Sequence, residues 1–418
     1  MEVFLVGGAI RDELLGLQIK ERDWVVVGAT VKDMQKMNFR QVGKSFPVFL
    51  HPDTKEEFAL ARTEAKVGPG YHGFKFNFAP TVSLEEDLGR RDLTINAIAK
   101  NEAGDLIDPY GGLQDIGDRI LRHVSPAFKE DPVRVLRVAR FAAKLEHLGF
   151  QLAPETEALI KEMVQAGELE HLVPERVWKE TERALQEKGP VAFIKVLRKT
   201  HALRVIYPEL DKLYGVPQSA DVHPEIDTGL HNEMVLWQAA RLSGVAEVRF
   251  AALMHDLGKA LTPEDKLPKH PGHEETGQKV LEGLCDRLKV PSKFKELAVL
   301  MMRYHGDCHD ALSMSAQEIL IFLERADAFR RPERFRQFLI ACEADSRGRL
   351  GFEHVKYEPR ALLEEAFYAA DFINAREILK DKEIKAEQIK EALFNARVNV
   401  IETVRQRRLK DRKTTEKE

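Results

Sequence analysis

The sequence predicts an α/β head followed by an all-α chain. Short β-like runs are confined to the first 115 or so residues: "VFLVGG", "WVVVGA", "PVFLH", "FALAR" and "LIDPY". Beyond about residue 126 these runs fade, and the remainder reads helical, with breaks near Pro190, Pro208–Pro217, Pro263–Pro271 and Pro291. The third observation is length: 418 residues are more than one core usually supports. The divisions expected are a head over 1–125, a helical neck and body over 126–220, a histidine-rich helical domain over 221–330, and a helical tail over 331–418.

Composition excludes several classes. Hydrophobic residues at 44% and charged residues at 32% suit a soluble globular protein, and a net charge of −4 means that any nucleic-acid contact must use locally clustered basic residues. The three cysteines, Cys285, Cys308 and Cys342, form no CxxC, which argues against a disulfide framework and against a cysteine zinc site. No apolar run is long enough for a membrane span and no secretory signal pattern opens the chain, so a cytoplasmic protein is expected.

Taken in order, "VFLVGGAIRDELLG" reads as strand, Gly-Gly turn and helix. Gly7 and Gly8 would let backbone N–H groups approach a phosphate, and Arg11 on the first turn could pair with a phosphate oxygen. Alone, such a turn is more often structural. "ERDWVVVG" changes the reading, because Glu21 and Asp23 at i and i+2 of an extended strand share one face. Two carboxylates there suit Mg²⁺, which also takes substrate phosphates. "HPDTKEE" reads as a hairpin turn and "VGPGYHG" (67–73) as a Gly-rich loop. "SLEEDLGRRDLTINAIA" begins with a capping box, Ser83 and Glu86, and reads as one helix. Glu64 in "ARTE" reads as a strand-end charge rather than a third metal carboxylate.

In "EDPVRVLRVARF", a helical step of about 100° places Asp131, Arg134 and Arg137 on one flank and Val133, Leu136 and Ala139 on the other. A carboxylate accepts hydrogen bonds and a guanidinium donates them. An Asp131–Arg134 neighbour pair therefore matches the amino donor and ring-nitrogen acceptor of cytosine and adenine, and mismatches guanine and uracil. By itself the stretch would also serve as a salt-bridged helix face. The Lys and Arg residues scattered over about 145–215 read as solvated faces, and the basic tail "RQRRLKDRKTTEKE" reads as frayed.

Half of the fourteen histidines lie between 223 and 309. His231, the adjacent pair His255-Asp256, and the later Asp345 are the expected ligands of a mixed nitrogen and oxygen metal site, with His273 and His305 as second choices. Without thiolates, Mn²⁺, Ni²⁺, Co²⁺ or Mg²⁺ fits better than structural zinc.

"GGAIRD" with "ERD", then "RRDLTINAI" (90–98), "DPYGGLQDI" (108–116) and "EDPVRVLRVARF" (130–141), in that order, resemble the signatures of class II tRNA CCA-adding enzymes and bacterial poly(A) polymerases. The H…HD…H…H…D spacing resembles the HD phosphohydrolase domain. The first resemblance implies a polymerase-β-like nucleotidyltransferase head that adds C, C and A to tRNA from CTP and ATP, with Mg²⁺ on Glu21 and Asp23. It also implies nucleotide contacts from Gly8, Arg11, Arg91, Asp131, Arg134, Arg137 and Arg140, supported by Asp92, Thr94 and Asn96. The family has Asp at both metal positions; Glu21 departs from this by one methylene. The second resemblance implies metal-dependent hydrolysis of 2′,3′-cyclic phosphates, 2′-nucleotides and phosphomonoesters, with His255 and Asp256 catalytic and Ni²⁺, Mn²⁺ or Co²⁺ as cofactor. A monomer or homodimer is expected. Poly(A) polymerase, and an RNA-binding phosphohydrolase with an inert head, are the rival readings.

Overall fold

The computed structural model describes residues 1–42, 47–66, 74–373 and 388–415. They fall into two compact units, Met1–Ile206 and Tyr207–Glu418.

The first unit is built on a seven-stranded sheet. Its strands are β1 (Glu2–Val6), β2 (Asp23–Val27), β3 (Arg40–Gln41), β4 (Val48–Leu50), β5 (Glu57–Leu60), β8 (Ala99–Lys100) and β9 (Leu106–Ile107), in the order β3-β4-β5-β2-β1-β8-β9. β1 and β2 run antiparallel with Val6 opposite Asp23, whereas β2 and β5 are parallel. The alternation of "EVFLV" explains the layering. Phe4 and Val6 pack on one face with Val25, Leu88 and Ala99, and Leu5 packs on the other with Ala9, Ile10 and Ile98. The expected hairpin joins β4 to β5, with the His51 N–H bonded to the Glu56 carbonyl. A separate ribbon pairs β6 (Thr63–Lys66) with β7 (Phe74–Asn77). The Gly-rich stretch 67–73 lies outside the described residues.

The capping box at Ser83 and Glu86 starts α3 (Leu84–Gly89) as expected, but the helix does not run on to 99. Asp92 ends the continuation. Its carboxylate accepts the Leu93 N–H at 2.8 Å and the Asn96 side-chain amide at 2.9 Å, a local alternative to helical bonding. The chain then makes one 3₁₀ turn, Thr94–Asn96, before β8. Helices α5 (Val133–Leu145), α7 (Pro174–Gln186) and α8 (Pro190–Lys199) complete the unit, α8 starting at Pro190 where a first-turn proline costs no hydrogen bond.

The second unit is helical. Its principal helices are α11 (Thr228–Leu242), α12 (Ala246–Met254), α13 (His273–Leu288), α14 (Ser292–His309), α16 (Pro332–Arg347) and α17 (Glu358–Phe372). The basic C-terminal stretch is not frayed through its described part. It belongs to a helix, Ile389–Thr415, in which Arg407 and Arg408 both bond Glu365 of α17. Cys285, Cys308 and Cys342 are free and buried. Among the described residues no helix is long and apolar enough to cross a membrane.

Two candidate functional sites

In the first unit, β1 leads into Gly7, whose φ of +74° is one that side chains rarely adopt, and a Cβ there would stand 2.9 Å from the Arg91 guanidinium. Glu21 does not share a strand with Asp23. It lies exposed in the preceding loop, and Asp23 is the first residue of β2. The two remain electrostatically coupled. Loss of water raises the Asp23 carboxyl above its usual range, Arg91 opposes the rise, and Glu21 adds to it. A carboxylate short of compensating charge beside a second carboxylate is a fitting position for a divalent cation.

The predicted arginines are tightly held: Arg11, Arg134 and Arg140 are buried, and Arg91 and Arg137 are half-buried. Arg11 donates to Asp12 Oδ1 from Nε at 2.9 Å and from Nη2 at 2.8 Å, and also bonds Asn96 Oδ1. Arg137 grips Asp92 Oδ2 at 2.6 Å, and Arg91 reaches Asp87 at 3.2 Å. Arg140 donates to Glu180 at 2.6 Å. Arg11, Arg137 and Arg140 all lie around the ring of Phe141, their guanidinium carbons 4.9, 5.8 and 4.4 Å from its centre. Glu64 is engaged by Arg62 at 3.0 Å and Arg90 at 2.7 Å.

The expected Asp131–Arg134 helix pair is corrected by the structure. Pro132 caps α5, so Asp131 lies outside the helix in extended conformation. Its carboxylate takes a fork from Arg176 on α7, at 3.1 and 2.7 Å, while Arg134 donates to the Ala127 carbonyl at 2.9 Å. Each group is thus held separately by the scaffold. Arg176 and Glu180 were passed over in the sequence, although "ERVWKE" places them at i and i+4, on one helix face.

In the second unit, five helical segments deliver the histidine site. His231 comes from α11, His255 and Asp256 from the end of α12, His273 from the first residue of α13, His305 from α14 and Asp345 from α16. His231 Nε2 is 3.0 Å from Asp345 Oδ1, and His255 Nε2 is 3.2 Å from Asp256 Oδ2 and 3.5 Å from Asp345 Oδ1. The donor atoms of His231, His255 and Asp345 all lie within 4.8 Å of one another. The outer nitrogens lie beside oxygen acceptors, with a well-directed hydrogen bond at His255 Nδ1 and a close approach without one at His231 Nδ1. His255 Nδ1 faces the Ala252 carbonyl at 2.8 Å, and His231 Nδ1 stands 2.8 Å from Glu225 Oε1. Carbonyls only accept, so His255 carries its proton on Nδ1 and presents Nε2 inward.

Burial works against charge on His255, but Asp256 and then Asp345 outweigh it and raise its pKa to about 10. The two buried carboxylates thus make positive charge favourable at this position. Neither Asp256 oxygen accepts a well-directed hydrogen bond among the described residues, although Lys259 Nζ stands 2.7 Å from Oδ2. The donor set fits a divalent ion. His309 and Lys259 were missed by sequence reasoning; His309 Nε2 bonds Asp345 Oδ2 at 2.8 Å and its Nδ1 meets the Tyr357 hydroxyl at 2.7 Å.

Three family models match separate stretches of the chain. Residues 3–122 match the poly A polymerase head domain, residues 149–214 the probable RNA- and SrmB-binding site of polymerase A, and residues 229–332 the HD domain. The multifunctional CCA protein of Thioalkalivibrio sulfidiphilus is 56% identical over 405 residues, covering 97% of this chain and 99% of the relative. The chain belongs to the multifunctional CCA protein family. The family relative of Alkalilimnicola ehrlichii is 53% identical over 401 residues, 96% of this chain and 97% of the relative. Among solved structures, the Bacillus stearothermophilus CCA-adding enzyme in complex with CTP shares the fold at a TM-score of 0.61 and 24% identity, over 99% of this chain and 94% of that one. The Thermotoga maritima CCA-adding enzyme complexed with tRNA gives 0.59 and 19% over 98% and 91%. The fold of this CCA-protein family member is thus a polymerase-β-like head, a helical body and an HD domain.

Proposed function

We propose that this chain adds the 3′-terminal CCA of tRNA from CTP and ATP, and that its histidine centre is a separate metal-dependent phosphohydrolase acting on 2′,3′-cyclic phosphates, 2′-nucleotides and phosphomonoesters. The observation that supports the first activity best is the undercompensated Asp23, beside Glu21, facing a set of pre-positioned arginines. Mg²⁺ held there would polarise the α-phosphate and lower the pKa of the attacking tRNA 3′-hydroxyl. Gly8, Arg11, Arg91, Arg137 and Arg140 are assigned to the nucleotide and its triphosphate. Their fixed carboxylate partners mean that little side-chain entropy is lost on binding. Asp131 and Arg134 are assigned to the base edge as two independently fixed groups, an acceptor and a donor.

In the second unit His231, His255, Asp256 and Asp345 are assigned to a borderline cation such as Ni²⁺, Mn²⁺ or Co²⁺, which would supply an activated water. His255 and Asp256 are the catalytic pair in this reading. The setting is cytoplasmic, as a monomer or homodimer.

The test is addition to a tRNA transcript ending before CCA, with purified protein and Mg²⁺. Two additions from CTP alone and a third only with ATP are expected. A long ladder from ATP alone would identify a poly(A) polymerase instead, and no addition with Mg²⁺ or Mn²⁺ would mark the head as inert.

A further inference from the structure

We infer that Asp12 is a positioning residue for nucleotide addition, fixing Arg11 for the triphosphate, and that Lys144 of α5 holds Asp12 in that place. The inference rests on the proposed nucleotide-adding reading of the first unit and deepens it.

α1 (Gly8–Leu14) follows the Gly7 turn directly, and the Arg11 N–H bonds the Gly7 carbonyl at 3.2 Å. Neighbouring residues of a helix point about 100° apart. Arg11 therefore reaches Asp12 only by folding back over the helix start, where a Cβ on Gly8 would stand 3.5 Å from its Nη2. Both side chains are buried. Asp12 Oδ1 accepts from Arg11 Nε and Nη2, and Asn96 Oδ1 accepts from Nη1, so the guanidinium is pinned from two sides against the glycine turn. Lys144, 132 residues on, donates to the same carboxylate, at 3.1 Å to Oδ1 and 2.8 Å to Oδ2.

Lys144 continues the arginine face of α5. It stands one helical turn past Arg140 and two past Arg137, on one side of the helix. Asp12 thus ties α1 to the helix that carries two of the arginines assigned to the nucleotide. Two cations share this one buried carboxylate, and burial together with the Arg11 charge lowers the Lys144 pKa. The group is short of negative charge, which a triphosphate supplies. CTP and ATP carry the same triphosphate, and the base edge is assigned to Asp131 and Arg134. Loss of the Asp12–Lys144 pair should therefore weaken both nucleotides alike and leave the choice of base alone, whereas a merely structural ion pair would be indifferent to the nucleotide.

The test compares the full chain with Asp12→Asn, Lys144→Met and Lys144→Arg, each checked for folding by circular dichroism. Single additions are followed on tRNA transcripts ending before CCA and after its second C. Asp12→Asn should raise KM for CTP and for ATP by about tenfold and Lys144→Met by about threefold, with kcat and the discrimination against GTP and UTP near the parent values. Lys144→Arg, which keeps the charge, should recover most of the loss. The double variant should be no worse than Asp12→Asn alone, because the two residues act as one unit. In calorimetry without tRNA the loss of affinity should be much larger for CTP than for CMP. Should Asp12→Asn not fold, the two Lys144 variants decide. An unchanged KM, a fall in kcat alone, or equal losses for CTP and CMP would overturn the inference and leave nucleotide addition standing. No addition by the parent would overturn both.

Discussion

Asp92 and Asp23 lie near the same arginines and carry opposite electrostatic consequences. Asp92 is buried, which works against its charge, but Arg137, the Asn96 amide and the Leu93 N–H outweigh burial and hold its pKa well below the ordinary 3.8. A carboxyl lowered on folding stabilises the native state above the unfolded pKa, and that contribution is lost as pH falls through the folded value. The stability of the first unit should therefore decline on acidification below about pH 4, where the unfolded carboxylate begins to bind protons. Asp92→Asn should flatten this acid limb and cost about 1.5 kcal/mol at pH 7, because it removes a charge-assisted hydrogen bond to the half-buried Arg137. Urea melts from pH 2 to 7 would check both, and an unchanged acid limb would show that the pair contributes little. Asp23 feels Arg91 and Arg137 only through space, with no hydrogen bond from either, and its carboxyl stays raised.

At the scale of elements, two close contacts set the sites. Gly258 follows the His255-Asp256 pair, and a Cβ on it would meet the His273 carbonyl at 1.9 Å and the Gly277 nitrogen at 2.7 Å. This backbone approach seats the start of α13, and with it His273, against Asp256. Gly258→Ala should destabilise the second unit by roughly 1–3 kcal/mol and weaken Mn²⁺ binding, read by a thermal melt and a titration. The other contact is the Arg176 fork on Asp131. Arg176→Met should leave the fold intact and loosen the carboxylate, which then keeps only the Val133 N–H. GTP and UTP misincorporation relative to CTP should then rise on the order of tenfold, a coupling of about 1.4 kcal/mol. Unchanged selectivity would remove Arg176 from base reading.

Over the whole molecule, the two sites are built from different compact units. Asp23→Ala should abolish nucleotide addition and spare phosphatase activity, and His255→Ala should do the reverse. Loss of both activities in either variant would argue against two independent centres.

Motif order and spacing single out the two candidate sites in the sequence: "GGAIRD", "ERD" and "RRDLTINAI" mark the head, and the H…HD…D spacing marks the cluster. These are local signals, because a glycine turn and an adjacent His-Asp carry their chemistry within a few residues. The strand alternation of β1 and β2 was legible for the same reason. Partnership was not. Nothing near Asp131 in the chain announces that Arg176, 45 residues on, holds it, and Asp345 meets His231 across 114 residues. Likewise, the helix expected to run through "RRDLTINAI" stops because a buried Asp92 finds Arg137 and Asn96 rather than the helical register. Which groups can do chemistry is written in the order of residues along the chain. The tertiary structure decided which of them face one another, because burial and long-range pairing set the charge each one carries.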